Sequence, residues 1–274
     1  MTRWLHWPAS AASAWSPSDL ADLYAWYKSD AITGLTNNDP VSTWSDSSGN
    51  GYDVTASGAD RPTYKTNTLN SMPVVEFTAT HWLAASTAAD WKFLHDATGS
   101  SVFLVLQYTR ADRMAFMWTA SFSSAEIGWT LCDDNLSGLR RAYQLIRGSG
   151  SWAVLNLGGN ASIPLNTTFI LGSVSDPGNA TAASKSSIRV DGGSAITNNS
   201  QTGTLSTSNP SFPLTIGKAG SSSMDGLEGY IAEIVICNAT LIDSDREKVE
   251  GYLAHKWGLT SSLPTGHPFK SSAP

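Results

Sequence analysis

The residues Val102-Phe-Leu-Val-Leu-Gln107 and Ile231-Ala-Glu-Ile-Val-Ile236 decide the fold class of this chain. Both are short, almost continuous apolar runs, a pattern typical of central β-strands that are covered on both faces. Glu233 is the one charged residue in the second run. Because a buried carboxylate is costly unless it is hydrogen-bonded, we expect Glu233 to be a structural carboxylate whose partners lie inside the core.

Further strand candidates extend this pattern along the chain. Each is rich in β-branched or aromatic residues and is bounded by Gly, Asn, Asp, Ser or Pro, the residues that favour turns. The candidate strands are residues 23–28, 73–77, 101–108, 113–119, 126–131, 139–146, 151–157, 167–175, 186–191, 213–217 and 229–237. Their spacing predicts an all-β fold, a sandwich of two antiparallel sheets.

One segment near the C-terminus has the periodicity of an α-helix. Ser244 and Glu247 have the spacing of a capping box, and Gly258 is suited to end the helix. The apolar face consists of Val249, Leu253 and Trp257. We therefore predict a helix over residues 245–257 that lies against the sandwich.

The composition excludes several classes of protein. The chain has 274 residues, with 17 Lys+Arg against 23 Asp+Glu, a formal net charge of −6 and only 15% charged residues. These charges are too few for a disordered chain, and their sign is wrong for a protein that binds nucleic acid. We expect no signal peptide and no membrane span, because no apolar stretch is long enough. Cys132 and Cys237 are expected to be buried thiols.

The organisation predicted for the chain is one domain, residues 17–274, preceded by an arm, residues 1–16. No long low-complexity linker divides the chain, and no repeat is evident. The arm carries Trp4, Leu5, Trp7 and Trp15. Because tryptophan side chains dominate the binding energy of many interfaces, we expect the arm to dock onto a partner protein or onto another copy of the chain.

Two blocks of sequence are more specific than the strand pattern. The first includes Val41-Ser-Thr-Trp-Ser-Asp-Ser-Ser-Gly-Asn-Gly-Tyr-Asp53 and Met72-Pro-Val-Val-Glu-Phe77. The second includes Leu227-Glu-Gly-Tyr-Ile-Ala-Glu-Ile-Val-Ile236 and Leu263-Pro-Thr-Gly-His-Pro-Phe269. Together they resemble the laminin G-like branch of the concanavalin A-like lectin/glucanase superfamily. The resemblance implies a two-sheet antiparallel jelly roll with one C-terminal helix, of the kind found in bacterial surface proteins and bacteriophage virion proteins.

Calcium is the one cofactor that the resemblance suggests. Many members of the superfamily hold Ca²⁺ with loop oxygens, and the candidate ligands here are Asp46, Asn50 and Asp53. Relatives commonly have Phe-Asp-Gly after the strand that ends at Phe77, whereas this chain has Phe-Thr-Ala. The alternative is a tight turn whose side chains bond to the local backbone, in a protein that needs no cofactor.

Cell-surface glycans are candidate partners. Sugar binding needs an aromatic platform beside polar side chains, and the sequence offers Trp82, Trp129, Asp133 and Asn135 close to predicted loops. Most of the 11 tryptophans are nevertheless expected in the core, where large aromatic side chains bury most area.

No catalytic residue is predicted. Retaining glucanases on this fold place two carboxylates about 5–5.5 Å apart on one strand, as Glu-x-Asp-x-x-Glu or a close variant, and no such triplet occurs in this chain. The sequence therefore favours a non-enzymatic protein on the virion surface, such as a capsid decoration, fibre or tail accessory protein docked through its arm. The alternatives are a carbohydrate-binding module for surface recognition and, third, a glucanase-like hydrolase.

Overall fold

The chain forms two facing β-sheets with one helix outside the first sheet. The structure is a computed structural model that describes residues 14–110, 114–120, 125–136, 139–148, 152–156, 163–197, 203–218 and 225–274. The first sheet consists of β1 (Leu23–Lys28), β4 (Thr63–Leu69), β5 (Met72–Phe77), β7 (Ser100–Tyr108), β12 (Phe169–Ser175), β13 (Ser186–Val190), β14 (Ile196–Thr197) and β17 (Gly229–Cys237). The second sheet consists of β2 (Thr43–Trp44), β3 (Val54–Thr55), β6 (Leu83–Ala84), β8 (Met114–Trp118), β9 (Gly128–Leu136), β10 (Leu139–Arg147), β11 (Trp152–Asn156), β15 (Thr215–Ile216) and β16 (Asp225–Gly226). The helix is α1 (Asp243–Trp257).

The strand order makes the predicted antiparallel sandwich. The first sheet has the order β14-β13-β12-β7-β17-β5-β4, and β1 also pairs with β17. The second has the order β11-β10-β9-β8-β15-β6-β3-β2, and the short strand β16 pairs parallel to β8. The other described pairings are antiparallel. The prediction of an all-β, two-sheet sandwich is therefore confirmed.

The two apolar runs form neighbouring strands, β7 and β17, at the centre of the first sheet. Successive side chains of a strand point to opposite faces. Leu104 and Ile234 pack in the core between the sheets, whereas Phe103 and Val235 pack beneath α1. Both faces of these strands are thus buried, which is the reason that the runs are almost continuously apolar.

The helix confirms one end of the prediction and corrects the other. It ends as expected at Gly258, which has a left-handed backbone with φ 73°. It begins at Asp243 with Ile242 as the N-cap and no capping side chain, so the predicted capping box at Ser244 is wrong. Ser244 lies inside the first turn, where Asp243 and Asp245 place negative charge at the positive end of the helix dipole.

Glu233 joins α1 to the first sheet. Its side chain is fully buried, and its carboxylate accepts hydrogen bonds from the indole nitrogens of Trp26, at 2.6 Å, and Trp257, at 2.7 Å. The ammonium group of Lys256 lies 2.7 Å from the same carboxylate. Three donors from β1 and α1 thus satisfy one acid on β17, as expected for a structural carboxylate.

Two further sequence features can be placed. Cys132 and Cys237 are both buried, in different sheets, and no disulfide joins them. Among the described residues, no helix is long and apolar enough to cross a membrane.

Replacing Glu233 with Gln is expected to lower the free energy of unfolding by about 3 kcal/mol, because the amide cannot serve two indole donors and a buried ammonium group. Urea denaturation of the two proteins measures the difference. Glu247→Gln is the control, because Glu247 is a part-exposed helix carboxylate paired only with Arg246 in the described contacts. A loss for Glu233→Gln no larger than that of the control would contradict the anchoring role.

Candidate functional site

The outer face of the second sheet carries a second apolar surface. Ala115, Trp118 and Cys132 point away from the inter-sheet core and cluster with Tyr143 and Leu145 of β10. A β-bulge between Ala115 and Met117 lets β8 place Met117 inward and Trp118 outward. The bulge therefore places the indole of Trp118 on the outer face of the second sheet.

An aromatic groove opens over this face, with a volume of about 420 Å³. Its floor comes from neighbouring strands: Trp118 on β8, Thr215 on β15 and Ala84 on β6. The loops supply the walls, which are Trp82, Phe212, Pro213 and Lys218. The groove is mostly apolar, and Lys218 is the one charged residue among these seven.

The orientation of Trp118 is fixed by two contacts. Its ring lies 5.1 Å from that of Phe212, with an angle of 58° between the planes. Its indole N–H donates to the backbone carbonyl of Lys218. Because this donor is already used and the side chain is only 3% exposed, Trp118 forms the floor of the groove.

Trp82 divides the groove from a second depression of about 310 Å³. Both depressions share Trp82 and Ala84, and the second is also lined by Thr55, Ala56 and Ser57. The backbone N–H of Trp82 donates to the carbonyl of Asp60 at 2.9 Å, which holds the loop in place. From here on, the name aromatic groove covers both depressions, the first of about 420 Å³ and the second of about 310 Å³.

The predicted glycan residues do not come together. Trp82 lines the groove, but Trp129 is fully buried in the inter-sheet core, so it has no face to offer a sugar. Asp133 is also fully buried. Burial raises the pKa of the neighbouring Tyr108, and the charge of Asp133 raises it further. The side chain of Asn135 lies outside the described residues.

The reason for this correction is the two-residue period of β9. Trp129 and Leu131 face the core, so Asp133 faces it as well, whereas Cys132 faces outward. The sequence did not indicate that Trp118 and Phe212 belong to this site. Trp118 ends a strand that is apolar on both faces, so periodicity could not distinguish an outward indole from a core one.

The predicted calcium residues form a hydrogen-bonded turn. Asp46 accepts from the backbone N–H groups of Trp26, at 2.8 Å, and Ser48, at 2.9 Å, through one carboxylate oxygen. Its other oxygen accepts from the Ser48 hydroxyl at 2.7 Å and from the Tyr52 N–H at 3.2 Å. Both oxygens are therefore used within the protein.

The other two candidate ligands serve the same turn. Asp53 accepts from the backbone N–H of Asp46 at 2.8 Å. Asn50 directs its amide nitrogen at the carbonyls of Leu23, at 3.1 Å, and Tyr24, at 3.0 Å. Within the described ranges, no group of three His, Cys, Asp or Glu side chains is placed to hold a metal ion. The hydrogen bonds are those of a tight turn, and calcium binding by this loop stays untested.

The predicted arm is described only at its end. Trp4, Leu5 and Trp7 lie outside the described residues. Trp15 is half-buried against α1, with its ring 6.3 Å from that of Tyr252. Trp15 thus packs in part on its own domain, and the docking role of the arm stays a prediction.

Asp46→Ala is expected to lower the free energy of unfolding by about 2–3 kcal/mol, since it removes charge-assisted bonds to three backbone N–H groups. Adding calcium or a chelator should leave the melting temperature of the unmodified protein unchanged. Asp53→Ala, which removes a single bond, should cost less. A calcium-dependent rise in melting temperature that Asp46→Ala abolishes would establish a metal site instead.

The comparisons with known proteins show the fold. No family model matches the chain, and no curated protein matches it in sequence. Domain 4 of AbnA, an extracellular GH43 arabinanase from Geobacillus stearothermophilus, solved in complex with arabinotriose, has a TM-score of 0.57 and 14% identity, over 81% of this chain and 95% of that domain.

Two larger structures share the same architecture. A GH54 α-L-arabinofuranosidase soaked with 4-nitrophenyl α-L-arabinofuranoside has a TM-score of 0.54 and 14% identity, over 77% of this chain and 50% of that one. The binding domain of botulinum neurotoxin serotype D has a TM-score of 0.52 and 10% identity, over 84% of this chain and 50% of that one. This chain therefore spans about half the length of these two neighbours, with which it shares the β-sandwich fold.

Proposed function

We propose that this protein is a non-catalytic carbohydrate-binding module whose ligand lies in the aromatic groove. The observation that carries the proposal is the position of Trp82, a half-buried indole between two depressions on the outer face of a sheet. A sugar ring has an apolar face that packs on an aromatic side chain, and polar groups at the edge then fix its orientation.

The groove supplies both kinds of contact. Trp82 and Phe212, which are both half-buried, offer aromatic surface above the buried Trp118. Thr55 and Ser57 in the second depression bring hydroxyl groups, and Lys218 brings a cation to the first. A site that is mostly apolar with a few polar groups is the usual composition of a small-molecule pocket.

The proposal assigns no catalysis and no cofactor to the groove. Glycoside hydrolysis needs two carboxylates about 5–10 Å apart beside the scissile bond. None of the residues that line the two depressions is acidic. Glu233, the most deeply buried acid of the first sheet, is engaged with two indoles and a lysine on the other side of the sandwich.

The structural neighbours support a carbohydrate ligand. Domain 4 of AbnA was solved with arabinotriose, and the GH54 enzyme with an arabinofuranoside. We carry over from them only the class of ligand, because the identities are 14%. The motifs that resemble the laminin G-like branch are consistent with the same class.

Trp82→Ala is expected to weaken glycan binding about tenfold, since the variant loses roughly 0.5–1.5 kcal/mol of stacking together with the apolar area that the indole buries against the sugar. A glycan array identifies the ligand, and calorimetry compares the variants. Ile242→Ala is the matched control, because Ile242 is an apolar side chain that is 66% exposed and lies at the start of α1. Equal binding by the Trp82 variant, or a blank array, would refute the site.

We also propose that the N-terminal arm docks the module onto a larger assembly, a bacteriophage particle being the context that the family resemblance favours. One observation supports this role. The described chain begins beside α1, outside the first sheet, whereas the groove lies on the outer face of the second sheet. Docking at one face therefore leaves the groove open to solvent at the other.

A chain lacking residues 1–13, which keeps Trp15, should fold with an unchanged melting temperature and lose incorporation into its assembly. Co-sedimentation with purified particles measures incorporation. The substitutions Trp4→Ala and Trp7→Ala, made together, should have the same effect as the deletion. Normal incorporation of the shortened chain would rule out docking through the arm.

A further inference from the structure

A polar cleft lies on the outer face of the first sheet, where α1 does not cover it. Its volume is about 590 Å³. The helix packs over Phe103 and Val105, and the cleft begins at Gln107, two residues further along β7. The lining residues are Thr68, Glu76, Phe77, Thr78, Gln107, Thr109, Glu228, Gly229 and Tyr230. None of them lines the aromatic groove.

The strand register explains why these side chains meet. Tyr230 on β17 pairs with Glu76 on β5 and with Gln107 on β7, so the three residues form one row across the sheet. Gly229 lets the chain approach β7 closely, because a Cβ there would lie 2.1 Å from the backbone oxygen of Gln107. The floor of the cleft is therefore built into the sheet.

Hydrogen bonds orient the centre of the row. The Tyr230 hydroxyl donates to the amide oxygen of Gln107 at 2.8 Å, and the Thr168 hydroxyl donates to the Tyr230 oxygen at 2.7 Å. Burial raises the pKa of Tyr230, so its hydroxyl stays protonated and remains a donor. With its oxygen occupied, the Gln107 amide group presents its nitrogen as a donor to a ligand.

Basic side chains hold the two acids of the cleft. Lys65 lies 3.2 Å from one oxygen of Glu76. Arg110 lies 2.9 Å from one oxygen of Glu228 and 2.9 Å from Asp225, which is outside the lining. Each carboxylate of the cleft thus keeps a second oxygen as an acceptor. The charge of Glu76 is balanced by Lys65, whereas Glu228 shares Arg110 with Asp225.

We infer that this cleft is a second saccharide site, which binds one or two rings of a neutral sugar through its hydroxyl groups. Fixed carboxylate acceptors, an amide donor and threonine hydroxyls match a ligand that both donates and accepts hydrogen bonds. The ring of Tyr230 supplies the aromatic surface for an apolar sugar face. The ion pairs weaken the attraction for a cation, and the acids disfavour an anion.

The cleft differs from the aromatic groove in chemistry as well as in place. The groove binds mainly through aromatic surface, whereas the cleft binds mainly through directed hydrogen bonds. Loss of a hydrogen-bonding partner is costly in such a site, so the cleft should discriminate between epimers that differ at a single hydroxyl.

The experiment uses the full chain with Trp82→Ala, which weakens binding in the groove about tenfold, so that binding in the cleft can be measured apart from it. The probes are arabinose, xylose, glucose, galactose and their disaccharides, together with glucuronic and galacturonic acids. Saturation-transfer NMR detects binding and calorimetry measures it. We expect at least one neutral sugar to bind saturably and its uronic acid counterpart to bind more weakly.

Glu228→Gln and Gln107→Met, each added to Trp82→Ala, should weaken this binding at least about tenfold, equal to about 1.4 kcal/mol. Asp225→Asn is the matched control, because Asp225 pairs with the same Arg110 without lining the cleft. Thermal unfolding checks that each variant is folded. The proposal is overturned if no neutral sugar binds to the Trp82→Ala protein, or if the cleft variants bind as the control does.

Discussion

The buried carboxylate of Glu233 is the interaction on which the arrangement of this molecule depends. An ionised acid inside a sheet must be compensated by several donors, or it would destabilise the fold by several kcal/mol. The compensation comes from Trp26 on β1 and from Lys256 and Trp257 at the end of α1. Those donors can reach the acid only when both elements are seated, so the same contacts fix the position of the helix and of β1.

The position of the helix in turn divides the first sheet into two chemically different halves. One half is apolar, because α1 covers it, and the other half carries Glu76, Gln107 and Tyr230, which face solvent. The second sheet differs again, since its outer face is apolar and aromatic without a covering helix among the described residues. The low overall charge of the chain fits a protein whose exposed faces rely on hydroxyl, amide and aromatic groups.

The parts of the fold that could be predicted from sequence are those in which local pattern and burial agree. The continuous apolar runs of β7 and β17, the helical face of α1 and the glycine that ends the helix needed no information from elsewhere in the chain. Strands of two residues, such as β2, β3 and β6, are too short to have a period. The helix start was misplaced because Asp243 and Asp245 favour the first turn as strongly as Ser244 favours a cap.

The binding surfaces were harder to predict, for a different reason. Trp82 and Trp129 have similar surroundings in the sequence. Trp129 points into the core because of its register on β9, whereas Trp82 lies beside the groove. The row of Glu76, Tyr230 and Gln107 joins three distant segments through strand pairing. Contacts between such distant segments depend on which strands pair, and this cannot be derived from the properties of single residues.

The pairing of β1 with β17 has a consequence for the synthesis of the protein. Trp26 and Glu233 are 207 residues apart in the chain, yet they meet in the first sheet. The central apolar strand β7 is made long before its partner β17, so on the ribosome it emerges without the neighbour that covers its edge. Closing a contact of such long range is slow, and an unpaired apolar edge favours aggregation in the meantime. Efficient production of this sandwich therefore depends on what shields β7 until the last quarter of the chain has been translated.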